Sequence, residues 1–206
     1  MDVTFHGANA VALTTKNAKL VFDPTVPGVP LKTDKFDVVV LTHEQEVKLK
    51  DEQILLNTPG EYEAKEVSLK GIAARAHMDE EGKQTATMYR VDANGVRAAI
   101  TGHVYPSLTD DQLEALGTVD VLILPVGGNG YTLDAEGAAK VVRQVEPKVV
   151  IPTHYADKEV KYEVPQNELQ AFLDEIGVST EEETKYKAKS GSFPDQLTVV
   201  HLQRTS

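Results

Sequence analysis

The amino-terminal half of the chain alternates short β-prone runs with turns, which is the pattern of antiparallel strands. These runs are residues 3–5, 11–13, 19–22, 53–56, 67–72, 85–91 and 96–101. Asn94-Gly95 joins the last two and favours a tight hairpin, because such a turn needs residues that tolerate positive φ. Residues 58–63 are predicted to form a turn. The nearly continuous apolar run 37–42 predicts a strand that is buried on both faces.

From residue 108 onward, predicted helices alternate with predicted strands. Residues 108–116 open with a Thr cap and an acidic first turn, which are typical of a helix start. Further helices are predicted at 134–146 and 165–176, buried strands at 119–124 and 148–151, a solvated charge run at 181–183 and a closing strand at 196–200. No composition break divides the chain, so we expect one domain over residues 1–206.

Histidines follow three of the predicted strands. His43 comes after the run 37–42, His103 after 96–101 and His154 after 148–151. Groups that carry out chemistry in α/β architectures gather beyond the carboxyl ends of such strands, which makes each histidine a site candidate. A single histidine in such a place is more often an ordinary loop or capping residue. Asp23, at the end of the third run, is either a turn cap or a support beneath a site.

The composition excludes several classes of protein. The 206 residues contain no cysteine, so a metal site would have to be built from histidine, carboxylate and water. A net charge of −11 argues against nucleic acid as a partner. No apolar run reaches the ~18–20 residues of a membrane span, and no basic-then-apolar signal opens the chain. We therefore expect a cytoplasmic protein that acts on a small molecule, without a membrane partner, while the sequence predicts no oligomeric state.

Five segments carry a likeness to one known family. They are Phe5-His6-Gly7-Ala8-Asn9-Ala10, Leu20-Val21-Phe22-Asp23-Pro24, Pro59-Gly60-Glu61-Tyr62-Glu63, Leu122-Ile123-Leu124-Pro125-Val126-Gly127-Gly128 and Val150-Ile151-Pro152-Thr153-His154-Tyr155. Over nearly its whole length the chain resembles the metallo-β-lactamase-fold hydrolases, in particular the branch that includes ascorbate-phosphate lactonase-like proteins. The resemblance implies an α/β (α+β) fold, an αββα sandwich of two mixed β-sheets with helices outside. It also implies metal-dependent hydrolysis of the lactonase or esterase kind.

The family's metal motif, T-H-x-H-x-D-H, is degenerate in this chain. The chain has Thr42-His43-Glu44-Gln45-Glu46-Val47-Lys48, so only the first histidine is kept. Most of what would hold a second metal is therefore absent, and a two-metal site is not expected. Lys48 stands where the family has a histidine, and its ammonium would place one positive charge where a second ion would bind. The alternative is that Lys48 lies with Lys50 on a solvated loop.

The resemblance implies three more ligand positions. His77 precedes an acidic hairpin, His103 stands where the family has a metal-bridging aspartate, and His154 matches the family's final histidine. With His43, four of the six histidines fall on ligand positions.

We therefore predict a site for one divalent ion, with Zn²⁺ the best suited. Glu44, Glu46 or Asp79 would serve as the base. The alternative is a non-catalytic binding or scaffold protein with a relic metal pocket and no metal.

Overall fold

The computed structural model describes residues 1–205 and contains two mixed β-sheets that pack face to face. The first sheet consists of β1 (Asp2–Gly7), β2 (Ala10–Thr14), β3 (Lys19–Phe22), β4 (Val38–Val40), β5 (Ile54–Leu56) and β13 (Tyr186–Lys187). Their order across the sheet is β13-β1-β2-β3-β4-β5. Pairing is antiparallel from β13 to β3 and parallel from β3 to β5.

The second sheet is larger. It consists of β6 (Gly60–Ala64), β7 (Val67–Ala74), β8 (Ala86–Ala93), β9 (Val96–Ile100), β10 (Val121–Pro125), β11 (Val149–Thr153), β12 (Ser179–Glu183) and β14 (Thr198–Leu202). The order is β12-β14-β11-β10-β9-β8-β7-β6. Strands β6 to β9 are antiparallel, whereas β9, β10, β11, β14 and β12 run parallel, so several carboxyl ends share one edge.

Three α-helices lie outside the second sheet: α1 (Asp110–Leu116), α2 (Ala135–Val145) and α3 (Leu169–Ile176). Thr109 caps α1 in a reciprocal capping box with Gln112, and Asp134 caps α2. Apolar residues of the helices pack on the outer face of this sheet. The outer face of the first sheet is covered by loops and one 3-10 turn, Thr33–Lys35. No helix within residues 1–205 is long and apolar enough to cross a membrane.

The main hydrophobic core lies between the two sheets and holds them at a fixed distance. Phe22 of the first sheet meets Tyr89 of the second edge to face, with ring centroids 6.1 Å apart, and both side chains are fully buried. Burial of a large apolar side chain of this kind contributes about 1.5–3 kcal/mol. The loops that carry chemistry are therefore mounted on a rigid double layer.

The predicted sandwich of two mixed β-sheets with helices outside is confirmed, with the α-helices on the second sheet and loops over the first, and so is the Asn94-Gly95 turn, where both residues have positive φ. Two local predictions were wrong. Residues 60–64 form the strand β6 rather than a turn, because pairing with β7 supplies the backbone hydrogen bonds of a polar edge strand. The charge run at 181–183 is solvated as predicted, and it lies in the exposed edge strand β12, which pairs with β14. Helix α3 begins at Leu169 instead of 165, since Gln166 and Asn167 bond to the loops beside them.

Candidate functional site

Three of the predicted histidines meet at one edge of the sandwich. His43 follows β4 of the first sheet, while His103 and His154 follow β9 and β11 of the second. The ring centroids of His43 and His103 are 4.9 Å apart, and those of His103 and His154 are 4.7 Å apart. We call these three residues the histidine cluster. Residues that are 60 and 51 positions apart in sequence are thus brought together because the carboxyl ends of their strands face one another.

The close approach of the two sheets at this edge depends on Gly102. Its φ is +61°, and a Cβ at this position would lie 2.2 Å from Oγ1 of Thr42, the residue before His43. Only glycine avoids that collision and also adopts left-handed backbone without strain. The backbone of His154 is left-handed as well, with φ of +51°, which is uncommon for a residue with a side chain.

A buried carboxylate holds His43 in place. Asp23 accepts hydrogen bonds from the backbone N–H of Thr42 at 2.8 Å, from the Thr42 hydroxyl at 2.5 Å and from Nε2 of Gln45 at 2.9 Å. Nδ1 of His43 lies 3.8 Å from Oδ1 of Asp23. Burial raises the pKa of Asp23, while the neighbouring His43 and the hydrogen bonds from Thr42 oppose the rise. Asp23 was predicted to be either a turn cap or a support beneath a site, and these contacts agree with the second role.

His103 and His154 are buried, and each has one ring nitrogen bonded to a side-chain amide. Nε2 of His103 accepts a hydrogen bond from Nδ2 of Asn9 at 2.8 Å. Nδ1 of His154 donates to Oε1 of Gln166 at 3.2 Å. Burial lowers the pKa of both imidazoles, that of His154 to about 4, so both rings are neutral near pH 7. Neutral imidazole is the form that binds metal ions.

His77 adjoins the histidine cluster through its backbone. Its N–H donates to the carbonyl oxygen of His103 at 2.7 Å, but the ring-to-ring contacts of the cluster do not include it. Burial lowers the pKa of His77, and its Nδ1 is buried without a hydrogen-bond partner. Asp79, one of the predicted bases, instead closes the next turn by accepting hydrogen bonds from the backbone N–H groups of Ala76 and Thr85.

The loop that carries the degenerate motif turns away from the histidine cluster after His43. Gln45, at the position of the second metal ligand, donates to Asp23 and accepts from the backbone N–H of Thr25 at 3.2 Å. Val47 packs against the apolar cover of the first sheet. Glu46 and Lys48 line a separate surface depression, and Glu44 is exposed next to His43. The structure therefore does not bring Lys48 to His103 and His154, and Glu44 is near the cluster only as the neighbour of His43 in sequence.

Two tyrosines border the cluster beside a small cavity of about 90 Å³. The ring of Tyr131 stacks on His154 with centroids 5.7 Å apart and meets His103 at 4.9 Å. Tyr162 contacts His154 at 4.9 Å, and its hydroxyl donates to the carbonyl oxygen of Tyr155 at 2.8 Å. The residues that line the cavity are Pro27, Tyr131, His154, Tyr162, Glu163, Val164 and Gln166. This lining contains one carboxylate and neither Lys nor Arg.

Comparison with known proteins identifies the family. The model of the family described as "Beta-lactamase superfamily domain" matches residues 2–154. The chain belongs to this family.

A UPF0173 protein of Pyrococcus abyssi is 24% identical over 178 residues, which cover 75% of this chain and 83% of that protein. A UPF0173 metal-dependent hydrolase of Natranaerobius thermophilus is 27% identical over 188 residues, with the same two coverages. Among solved structures, a metallo-β-lactamase superfamily protein of Thermotoga maritima superposes with a TM-score of 0.76 at 24% identity, over 98% of this chain and 100% of that one. These likenesses confirm the predicted family and fold, whereas the ascorbate-phosphate lactonase-like branch stays a prediction.

The side chains of this β-lactamase superfamily member suit a divalent ion in their chemistry. Neutral imidazoles at His103 and His154 are suitable metal ligands. The Nδ1 atoms of His77 and His103 are buried without hydrogen-bond partners, as expected for nitrogens that can bind an ion. Their arrangement is not yet that of a metal site. Within residues 1–205 no three His, Asp or Glu side chains are placed to hold an ion together.

Three residues next to the histidines escaped the sequence analysis of function. Asn9 appeared only within one segment that resembles the family, Tyr131 was not considered, and Gln166 fell in a predicted helix. Each contact with the histidine cluster arises from how separate loops pack, so no local spacing marks these residues. The one local signal was the polar turn around Asn9 within the segment that resembles the family.

Proposed function

We propose that the protein is a metal-dependent hydrolase with one divalent ion, held by His43, His103 and His154. The observation that carries this proposal is the convergence of the three rings, which come from three separate loops and both sheets. The relatives in Natranaerobius thermophilus and Bacillus velezensis are named metal-dependent hydrolases, which supports the same class of activity here. His77 adjoins the cluster and is the alternative candidate ligand.

The partners of the ring nitrogens support this ligand set. The Thr42 hydroxyl oxygen, which lies 3.2 Å from Nδ1 of His43, and Oε1 of Gln166, which lies 3.2 Å from Nδ1 of His154, pair with the Nδ1 atoms, so Nε2 of both rings is free of these bonds. Metal-binding histidines usually donate their other ring N–H to an oxygen in this way. Nitrogen-rich sites suit Zn²⁺, and such an ion, when bound, supplies a water of lowered pKa and polarises a carbonyl oxygen. Glu44 next to His43 would take up the proton.

The substrate would approach His154 through the tyrosine-lined cavity. Its walls offer the faces of Tyr131 and Tyr162, and its rim carries the Glu163 carboxylate. The chain has a net charge of −11, and no Lys or Arg lines this cavity, so a polyanionic substrate would be repelled. A small, neutral, partly apolar lactone or ester fits this surface.

Metal content tests the proposal. Protein purified without an affinity tag and incubated with Zn²⁺ should bind one ion per chain, and the ion should raise the midpoint of thermal unfolding. His43→Ala combined with His154→Ala should abolish both effects, whereas the distant His201→Ala should leave them unchanged. Occupancy below ~0.2 ions per chain would contradict the proposal, because a folded three-histidine site should be nearly saturated after incubation with Zn²⁺.

A second candidate is a non-catalytic protein that binds or scaffolds without a metal. The observation in its favour is that Gln45 and Val47 have taken structural roles in the motif loop. In that case a chelator should leave the thermal stability of the parent unchanged. Loss of stability on chelation, absent from the variant without His43 and His154, would decide for the hydrolase.

A further inference from the structure

The tyrosine-lined cavity beside His154 has walls of negative potential. Tyr131 and Tyr162 lie against the ring of His154, with centroids 5.7 and 4.9 Å from it, and both line the cavity. The face of an aromatic ring is the negative side of its quadrupole and attracts cations. Glu163, the residue after Tyr162, adds a full negative charge at the rim. A group that enters this cavity therefore meets two ring faces and one carboxylate.

No cation within residues 1–205 pairs with the carboxylate at the rim. On the same loop, Asp157 and Glu159 form salt bridges with Arg204. Glu163 forms none in the part of the chain that the structure describes. The aliphatic part of Lys161 packs on the neighbouring loop, and this residue is not part of the cavity lining. The charge of Glu163 is thus available to a ligand.

This negative charge is felt inside the cavity. Burial raises the pKa of Tyr131, and the carboxylates of Glu163 and Asp23 add to the rise. His154 brings no opposing charge near pH 7, because burial lowers its pKa to about 4. The cavity therefore repels anions and favours a group with a positive charge.

The size of the cavity and its apolar members narrow the class of ligand. Its volume of about 90 Å³ is well below the ~300–1,000 Å³ of pockets that enclose whole ligands, so it accommodates one end of a molecule. Pro27 and Val164 complete the lining with apolar contact. A hydrated metal ion gains nothing from such contact, whereas an ammonium nitrogen that carries alkyl groups combines charge with apolar surface. Aromatic walls recognise quaternary ammonium groups in this way.

We propose that this cavity binds a small alkylammonium group, and that the substrate carries this group at the end away from the bond that is cleaved. The binding half concerns the metal-free protein, whereas the substrate half rests on the proposed function. His43 and His103 do not line the cavity, so a group bound there leaves the space between the three histidine rings for the ion. A cationic ester or lactone gains from the rim carboxylate, which a neutral one does not, and is the better of the two substrates.

Titration of the metal-free protein with two probes of nearly equal size tests the binding half. Tetramethylammonium carries a charge, whereas tert-butanol has nearly the same shape without one. At constant ionic strength we expect tetramethylammonium to bind about tenfold more tightly, since each of two ring faces attracts the charge modestly. The NMR signals of the Tyr131 and Tyr162 rings should shift and show where the ion lies. Equal affinities, or no binding of either probe, would overturn the inference, and this comparison needs no variant to fold.

Matched variants separate the ring face from the carboxylate. Tyr131→Leu removes one aromatic face and should weaken binding of tetramethylammonium about fivefold, whereas Tyr131→Phe keeps the face and should bind normally. Glu163→Gln should weaken binding about threefold, and added salt should reduce this difference, because the charge is exposed. Glu168→Gln removes the same charge at an exposed position outside the lining and should leave the affinity unchanged. Equal losses in Tyr131→Leu and Tyr131→Phe would contradict a contact between the ion and the ring face.

The substrate half is tested with the Zn²⁺-loaded protein. Acetylcholine and the neutral ester in which carbon replaces its charged nitrogen offer the same bond for hydrolysis. We expect kcat/KM to be about tenfold higher for acetylcholine. A ratio of one or less, or hydrolysis of neither ester, would overturn the substrate half, while Zn²⁺ content decides the proposed function separately. If Zn²⁺ binds nowhere, the proposed function and the substrate half fall together, and the tetramethylammonium titration still decides the binding half.

Discussion

The loop after β4 and the strand ends after β9 and β11 occupy equivalent places at the site but differ in how their side chains are used. In the loop, Gln45 bonds to the buried Asp23, and Val47 packs in an apolar cluster. At the strand ends, His103 and His154 keep their imidazoles inside the site, although a buried His103 nitrogen is left unpaired. The loop side chains make only contacts that stabilise the fold, whereas the strand-end histidines make contacts but also include an unpaired nitrogen and a left-handed backbone.

This difference helps to separate function from inheritance. The left-handed backbone of His154 costs about 1–3 kcal/mol, and the unpaired Nδ1 of His103 costs a similar amount. Costs of this kind persist where the surrounding structure enforces them for a purpose, such as ligand binding. In the motif loop, by contrast, Gln45 and Val47 make contacts that serve the fold.

Removal of the Asp23 carboxylate should produce the largest effect, because Asp23 joins the two regions. Asp23→Ala leaves the N–H and hydroxyl of Thr42 and the amide of Gln45 without their acceptor. We expect a loss of about 4 kcal/mol in the free energy of unfolding, or roughly 8–16 °C in melting temperature. Urea unfolding measures it. Asp51→Ala, at an exposed turn, is the control and should cost less than about 0.5 kcal/mol.

Acid should weaken the strand-end region next. The pKa of His154 is near 4 in the folded protein and 6.5 when unfolded, so the unfolded chain binds the extra proton first. The metal-free protein should therefore be fully stable above pH 6.5 and lose about 3 kcal/mol from this residue as the pH falls to 4. Unfolding curves across that window measure the loss. His154→Asn places a residue that tolerates left-handed backbone at this position, and it should remove the part of the pH dependence that comes from His154. An unchanged pH dependence in this variant would show that His154 is not its source.

The sequence predicted the strand ends after β9 and β11 better than it predicted the loop after β4. The strand ends were found because apolar runs mark buried strands, and a histidine follows each run within three residues. The partners Asn9, Tyr131 and Gln166 could not be found, since their contacts depend on how the two sheets and distant loops pack. In the motif loop, the substitutions indicated the loss of a second metal, but the sequence did not show that the chain turns away after His43.

A carboxylate restored to the motif loop would test whether that region is now committed to the fold. Val47→Asp returns the family's residue but places a charge against the apolar cluster that covers the first sheet. Because Val47 is half-buried, we expect a loss of about 2 kcal/mol and no gain in metal binding. Leu49→Asp makes a similar change at a side chain that is 39% exposed and should cost about 0.5 kcal/mol or less. Equal costs for the two variants would mean that the loop is not packed.

The smallest expected effect comes from the contact that orients His154. Gln166→Leu keeps the size of the side chain but removes the Oε1 that accepts from Nδ1 of His154 at 3.2 Å. The loss of one hydrogen bond should lower the free energy of unfolding by about 1 kcal/mol. If this bond also fixes the ring for a ligand, Zn²⁺ affinity measured by calorimetry should fall about tenfold, which the stability change alone does not require. Gln170→Leu, on the exposed start of α3, should leave the affinity unchanged; equal losses in both variants would show that Gln166 only supports the fold.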